Sequence, residues 1–315
     1  ALTARLAHLL YTRKAYPSEI LSVTFTNKAA REMRERVSKR IKSDQSEGLT
    51  ISTFHSLGLR FLQIELQRAK LRRGFSIFDS DDQLGIIKDL SPPGLKNDAL
   101  QALHGLISQA KNNGLSPDEA FELAKTVRER EAANLYDRYQ ARLQTFNAVD
   151  FDDLIRIPLM LLDQDKDLAP AWRERLRYLL VDECQDTNGA QYRLLKHLAG
   201  PKGALTCVGD DDQSIYAWRG AQPENLELLA KDYPDLKIVK LEQNYRCTGR
   251  ILRSANQLIQ KNPHTHLKKL WSQHGDGEPI RIWACKNNEH EAERVAAEIH
   301  YLKQAKEIPW GEFAI

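Results

Sequence analysis

Tyr178-Leu179-Leu180-Val181-Asp182-Glu183-Cys184-Gln185-Asp186 is the stretch on which the fold turns. Residues 178–181 are apolar and β-prone, a run of strand length that ends abruptly in two adjacent acids. In an open parallel sheet, ligands bind outside the carboxyl ends of the strands. Asp182 at such an end can give one oxygen to a divalent cation, leaving Glu183 free to act as a base. Mg2+ suits this pair, because it keeps most of its waters and takes one or two carboxylates plus substrate phosphates. A capped strand end carrying two solvated acids is the alternative. A second run of the same form follows: residues 204–208 are apolar and lead into Gly209-Asp210-Asp211-Asp212-Gln213. Two strands delivering carboxylates to one edge point to a nucleotide site in an α/β fold.

The strand–helix alternation extends on both sides of that pair. Upstream, residues 2–11 read as a helix, 20–25 as a buried strand, and Thr26 or Asn27 as the cap of a helix with Ala29, Ala30, Met33, Val37 and Ile41 on one face. A short strand over 49–53 then leads into Phe54-His55-Ser56. Between 57 and 176 helical periodicity takes over, at 57–71, 80–90, 100–111, 117–146 (as two helices) and 152–162. Ser91-Pro92-Pro93-Gly94 and Asn112-Asn113-Gly114 are the turn signals that separate them. This block reads as a helical insertion between strands of the α/β layer. Downstream of the acids the pattern predicts helices at 189–198, 223–231, 248–260 and 289–303. Strands are predicted at 236–241 and 280–284, and at 313–315 as the start of another.

At 315 residues the chain is long enough for two or three domains. No apolar run approaches the roughly 20 residues needed to span a bilayer. Cys184, Cys207, Cys247 and Cys285 form no Cys-x-x-Cys pair, so thiols in a reducing cytoplasm are the simpler account than zinc. The net charge of +3 is too small to argue from. Its distribution says more, with basic clusters at Lys28, Arg31, Arg34, Arg36, Lys39, Arg40 and Lys42, and at Arg60, Arg68, Lys70, Arg72 and Arg73. Each is either the footprint of a polyanion or a solvated helix face.

Thr24-Phe25-Thr26-Asn27-Lys28-Ala29-Ala30, Ser52-Thr53-Phe54-His55-Ser56, Val181-Asp182-Glu183-Cys184-Gln185-Asp186, the segment 209–221 and the segment 241–246 occur in that order. Together with Asp150-Phe151-Asp152-Asp153-Leu154, they resemble the motifs of superfamily-1 DNA helicases of the UvrD/Rep/PcrA type, the Rep-like bacterial enzymes in particular. The resemblance covers essentially the whole chain. It implies an α/β fold, with a RecA-like parallel-sheet motor domain at 1–56 and 172–245. An inserted all-helical subdomain would occupy 57–171, and a second RecA-like domain would start at 246–315.

Roles carry over by the same resemblance. Asp182 is similar to the family's Mg2+ ligand and Glu183 to its catalytic base, which orients the water that attacks the γ-phosphate. Gln213 matches the glutamine that senses that phosphate, Tyr245 the ring that stacks on adenine, and Arg246 the arginine finger. Phe25, Tyr216 and Trp218 fit the residues that stack on DNA bases, and His55 and Arg219 the polar DNA contacts. Base stacking gives about 1–3 kcal/mol per base without reading sequence, as an enzyme walking on arbitrary DNA requires. Core packing is the competing account, stronger for Phe25 than for Trp218.

The implied activity is ATP-dependent 3′ to 5′ translocation on single strands, unwinding duplex DNA in replication or repair. ATP would be the substrate and Mg2+ the cofactor. Single-stranded DNA, strand junctions and replication or repair proteins would be the partners, in a bacterial cytoplasm and not at a membrane. A phosphate-binding Gly-x-x-x-x-Gly-Lys-Thr loop, which the family places before its first helix, is absent from these residues. A polypeptide of this sequence alone is therefore expected not to hydrolyse ATP at a useful rate. Two other classes stay open: a single-strand-binding or partner-docking module whose ATP site is lost, and the helicase subunit of a helicase–nuclease.

Overall fold

The computed structural model describes residues 1–41, 47–201, 203–217, 220–262 and 267–315. They divide into two compact units, one from Ala1 to Ile238 and one made of the described residues from Val239 onward.

In the first unit, α1 (Leu2–Tyr11), β1 (Ile20–Thr24), α2 (Asn27–Ser38), β2 (Thr50–Thr53) and α3 (Phe54–Ile64) come first. Thr26 caps α2 by accepting the Ala29 amide at 3.1 Å, one of the two caps expected. The intervening block holds β3 (Ser76–Phe78), α4 (Ser80–Leu90), α5 (Asn97–Asn112), α6 (Pro117–Leu123), α7 (Val127–Thr145), β4 (Ala148–Asp150), α8 (Asp153–Gln164) and α9 (Leu168–Arg175). The alternation resumes with β5 (Tyr178–Val181), α10 (Gly189–Ala199), β6 (Ala204–Cys207) and α11 (Asn225–Asp232).

The sheet is wholly parallel, in the order β2-β1-β5-β6. β1 is buried on both faces, which is why it reads as an uninterrupted apolar-to-small run. Successive side chains point to opposite faces and enter different cores. Leu21, Val23, Leu179 and Val181 pack with Phe61, Leu154 and Leu194 from α3, α8 and α10. Ile20, Leu180 and Ile51 pack with Leu6, Ala30 and Met33 from α1 and α2. The result is a layer of strands between two layers of helices. α3 and α8 approach so closely that a Cβ on Gly58 would lie 1.7 Å from the Leu154 carbonyl oxygen.

The insertion has its own core, centred on Ile87, Leu103, Tyr136, Tyr139 and Leu143. It is helical apart from β3 and β4, a two-stranded parallel pair that the sequence pattern does not announce.

The second unit contains α12 (Gly249–Ile259) and α13 (Asn288–Ala305). The strands expected at 236–241, 280–284 and 313–315 are absent: Val239, Leu241, Ile280 and Ile282 are exposed in irregular chain. Strand propensity is realised only on a ladder. The described residues give these segments no neighbouring strand, only the isolated bridge between Gln243 and Trp271. Val295, Ile299 and Leu302 form the better-covered face of α13 but are only half-buried.

Candidate functional site

The sheet register brings the first unit's candidate residues to one edge. Thr24 pairs with Thr53, Val23 with Val181, and Val181 with Cys207, so β1, β2, β5 and β6 all end together. Phe25, His55, Asp182 and the loop from Gly209 therefore leave the sheet side by side, where an open parallel sheet binds its ligands.

At the end of β5, the Asp182 amide donates to the Val23 carbonyl at 2.9 Å. Glu183 then adopts φ 52 and ψ 48, a left-handed conformation that costs a non-glycine residue about 1–3 kcal/mol and recurs at functional sites. The left-handed turn lets the chain double back, so that the Cys184 amide reaches the Val208 carbonyl at 2.9 Å. Glu183 is exposed, Asp182 is half-buried and Asp186 is buried. Burial first, and the charge of Glu183 second, raise the Asp182 and Asp186 carboxyls above their ordinary values. Asp186 Oδ1 is buried without a hydrogen-bond partner.

Gln185 joins the two acidic loops. Its Nε2 donates to Glu183 Oε2 at 2.8 Å, its Oε1 accepts the Asp210 amide at 3.0 Å, and its carbonyl accepts Ser214 Oγ at 3.3 Å. Gln213 is drawn into the same set, its Nε2 donating to Asp210 Oδ2 at 2.6 Å. Residue 209 must be small, because a Cβ there would stand 2.8 Å from Gln185 Oε1. Asp210, Asp211 and Asp212 carry carboxylate oxygens within 4.8 Å of one another.

The aromatic candidates flank these loops. Phe25 is half-buried and stacks on Tyr216, ring centroids 5.1 Å apart at 24°. His55, at the start of α3, stacks on Phe151 at 3.9 Å and 20°. Burial lowers its pKa to about 4, so it is a neutral ring at pH 7 and brings no positive charge to a phosphate. Trp218 and Arg219 lie outside the described residues. In the second unit, Tyr245 and Arg246 are exposed. The Tyr245 hydroxyl donates to Gln243 Oε1 at 2.9 Å, and Asn244 Oδ1 accepts the amides of Arg246 at 2.9 Å and Cys247 at 2.7 Å.

A family model described as "UvrD/REP helicase N-terminal domain" matches residues 1–234, and one described as "UvrD-like helicase C-terminal domain" matches 239–315. The chain belongs to the UvrD/Rep helicase family. It is similar to ATP-dependent DNA helicase Rep of Escherichia coli (strain K12), 47% identical over all of this chain and 47% of that protein. ATP-dependent DNA helicase PcrA of Bacillus subtilis (strain 168) is 40% identical over all of this chain and 43% of its own length. The chain thus spans about half the length of the curated relatives it matches. Its parallel sheet and flanking helices form the RecA-like layer of a family member. Among the described residues no helix is long and apolar enough to cross a membrane.

Residues that sequence reasoning passed over hold this family member's site together. Asn112 Nδ2 donates to Asp152 Oδ1 at 3.1 Å, and its Oδ1 accepts Asn188 Nδ2 at 2.6 Å. Asn188 caps α10 immediately after the acid motif. Gln222 Nε2 donates to Asn113 Oδ1 at 3.1 Å, and Asn225 Nδ2 to the Thr187 carbonyl at 2.8 Å. The insertion is thereby bonded both to the chain after the acids and to the chain after the glutamine loop. Asn112-Asn113-Gly114 does form the turn expected of it, with Gly114 at φ 70, but its side chains are what make the connection. Phe151 was visible only as part of a motif; its exposure and its stacking on His55 are structural facts.

Proposed function

We propose that this chain carries the acid, glutamine and base-stacking residues of an ATP-dependent DNA helicase that moves 3′ to 5′ along single strands. The observation that carries the reading is the Gln185 bridge, with Glu183 on one side and the Asp210–Gln213 pair on the other. A change at the phosphate sensed by Gln213 would be felt at the base Glu183 through two hydrogen bonds on one side chain. The same loop runs on to Tyr216, stacked on Phe25, which makes fuel chemistry and base grip parts of one segment.

Under this reading Glu183, exposed and held by Gln185, takes the proton of the attacking water and orients it. Asp182 holds the metal. The donor set fits a hard cation: oxygen only, with Asp182 beside Glu183 and an unpaired buried oxygen on Asp186. Mg2+ bound there would offset charge on the phosphates. Tyr245 would stack on adenine and Arg246 would face the transferring phosphoryl, both presented from a turn pinned by Asn244. Phe25, Tyr216, Trp218 and the His55–Phe151 stack would hold bases, and Arg219 a backbone phosphate. Residues 1–56 with 172–245 would be the first motor domain, 57–171 its insertion and 246–315 the opening of the second. Single strands and junctions are the nucleic-acid partners this implies, in replication or repair.

Glu183→Gln in the intact protein that carries these residues tests the reading: turnover should vanish while ATP binding persists. Unwinding of substrates with a single 3′ or 5′ tail tests polarity, and preference for the 5′ tail would overturn it. A polypeptide of residues 1–315 alone holds no Gly-x-x-x-x-Gly-Lys sequence and is expected to show negligible steady-state ATPase activity.

A further inference from the structure

We propose that Cys184 and Cys207 form a dithiol that hydroperoxides convert reversibly to a disulfide, a modification site at the base of the acid loop. Cys207 ends β6 and pairs in register with Val181 of β5. The chain leaves β5, turns through Glu183 and returns, so that the Cys184 amide bonds to the carbonyl of Val208, the neighbour of Cys207. The two cysteines therefore sit on adjacent backbones at the spacing of paired strands, about 5 Å. That lies inside the Cα separation of about 4.4–6.8 Å that a disulfide accepts. Their thiols hydrogen-bond each other. Cys184 is fully buried in the main core, and Cys207 is half-buried on the edge strand β6. A small oxidant can thus reach the pair from the β6 side, whereas a protein thiol cannot reach Cys184.

The reaction needs only the hydroperoxide. With hydrogen peroxide, one sulfur attacks a peroxide oxygen, the O–O bond breaks, and a sulfenic acid and one water result. The second sulfur then displaces hydroxide from the sulfenic sulfur and the S–S bond forms. The hydroxide leaves as a second water with the remaining thiol proton. Two thiols give up two electrons and two protons, and the peroxide takes both.

Most packed thiol pairs have no consequence; the position of this one gives it one. Cys184 follows Glu183, whose left-handed turn sets where its carboxylate points, and Cys207 lies two residues before Gly209. The bond would pin the Glu183 turn to β6 and remove the freedom of the two acidic loops to shift against each other. Disulfides that form transiently in reducing compartments usually serve catalysis or redox sensing.

The test is a disulfide map of the folded chain. After hydrogen peroxide treatment, remaining thiols are alkylated, the chain is digested, and peptides are compared by mass spectrometry with and without dithiothreitol. The expected product is a Cys184–Cys207 cross-link within one molecule that dithiothreitol removes. Cys285→Ala should leave it unchanged and Cys207→Ala should abolish it. Both cysteines alkylated after unfolding, under conditions that oxidise Cys247 or Cys285, would overturn the proposal. So would a cross-link found only between molecules. The wild-type map decides even if Cys207→Ala does not fold, and it is independent of whether the chain hydrolyses ATP or binds DNA.

Discussion

The acid loops of the first unit and the Tyr245–Arg246 turn of the second carry the same kind of chemistry, yet they are held in different ways. Glu183 and Gln213 are exposed tips on a buried frame: Gln185, Thr187, Asn188 and Asn225 behind them are buried and hydrogen-bonded to one another or to the insertion. Tyr245 and Arg246 rest on Asn244 and on a second unit in which Leu252 and Asn256 are the buried residues of α12, and in which α13 buries none. Buried polar networks are high-stakes, because each unsatisfied group costs far more than its bond contributes. Geometry should therefore be stiff and mutation-sensitive in the first case, and locally set and tolerant in the second.

The largest effect expected comes from the insertion that backs the frame. Lys111 is fully buried, its Nζ 2.5 Å from Asp150 and 3.0 Å from Asp153, with the Tyr139 hydroxyl donating to Asp150 at 2.9 Å. Lys111→Ala strands two buried carboxylates and should cost about 3–5 kcal/mol. Urea denaturation of the chain would measure it, and a loss under about 1 kcal/mol would mean that the network does not carry the insertion.

Asp152, which accepts bonds from Ser108 at 2.6 Å and Asn112 at 3.1 Å, provides the pH test. Burial first, and the charge of Asp150 second, push its carboxyl up to about 6 from an ordinary 3.8. With the folded pKa above the unfolded one, its contribution to stability is intact below pH about 4 and is lost as pH rises through about 6. The loss is of order 2–3 kcal/mol. Asp152→Asn should flatten the pH dependence of the melting temperature between those values. Other groups facing it, Asp150, Asp153 and Lys111, remain in that variant and set the residual slope.

What the sequence revealed and what it hid divide along the same line. Strand ends bearing acids were legible because four apolar residues that stop dead at Asp182 and Glu183 fit a buried strand leaving its sheet and are too short for a helix. Residues 80–90 emerged as α4 unchanged because Asp79 and Asp82 form a capping box at its start. β3 was invisible, being three residues long and exposed over Ser76 and Ile77. The expected strands at 236–241 and 280–284 show the reverse error: β-branched residues without a ladder partner stay irregular. Gln185 and Asn112 were unreadable for a further reason. Their roles follow from register and helix packing across 25 and 76 residues of sequence, which no local pattern encodes.

Gln185→Ala sharpens the comparison at intermediate scale. It deletes the donor to Glu183 and leaves the Asp210 amide without its acceptor, so about 1–3 kcal/mol of local stability should go. Hydrogen exchange at Asp210 should quicken correspondingly, and an unchanged rate would break the bridge between the two loops.

The smallest effect should come from Tyr245→Ala. Its ring is 75% exposed, and its hydroxyl bonds only to the half-buried Gln243, two residues away. Surface substitutions of this kind fall within about 0.5 kcal/mol, so thermal unfolding of the chain should barely move. Nucleotide binding by the intact protein should weaken all the same, because an aromatic face is what an adenine would lose. Stability and binding would then separate at Tyr245 but fall together at Gln185. If instead Tyr245→Ala destabilised the chain by as much as Gln185→Ala, the second unit would have a frame of its own and the contrast between a buried scaffold and a locally pinned turn would fail.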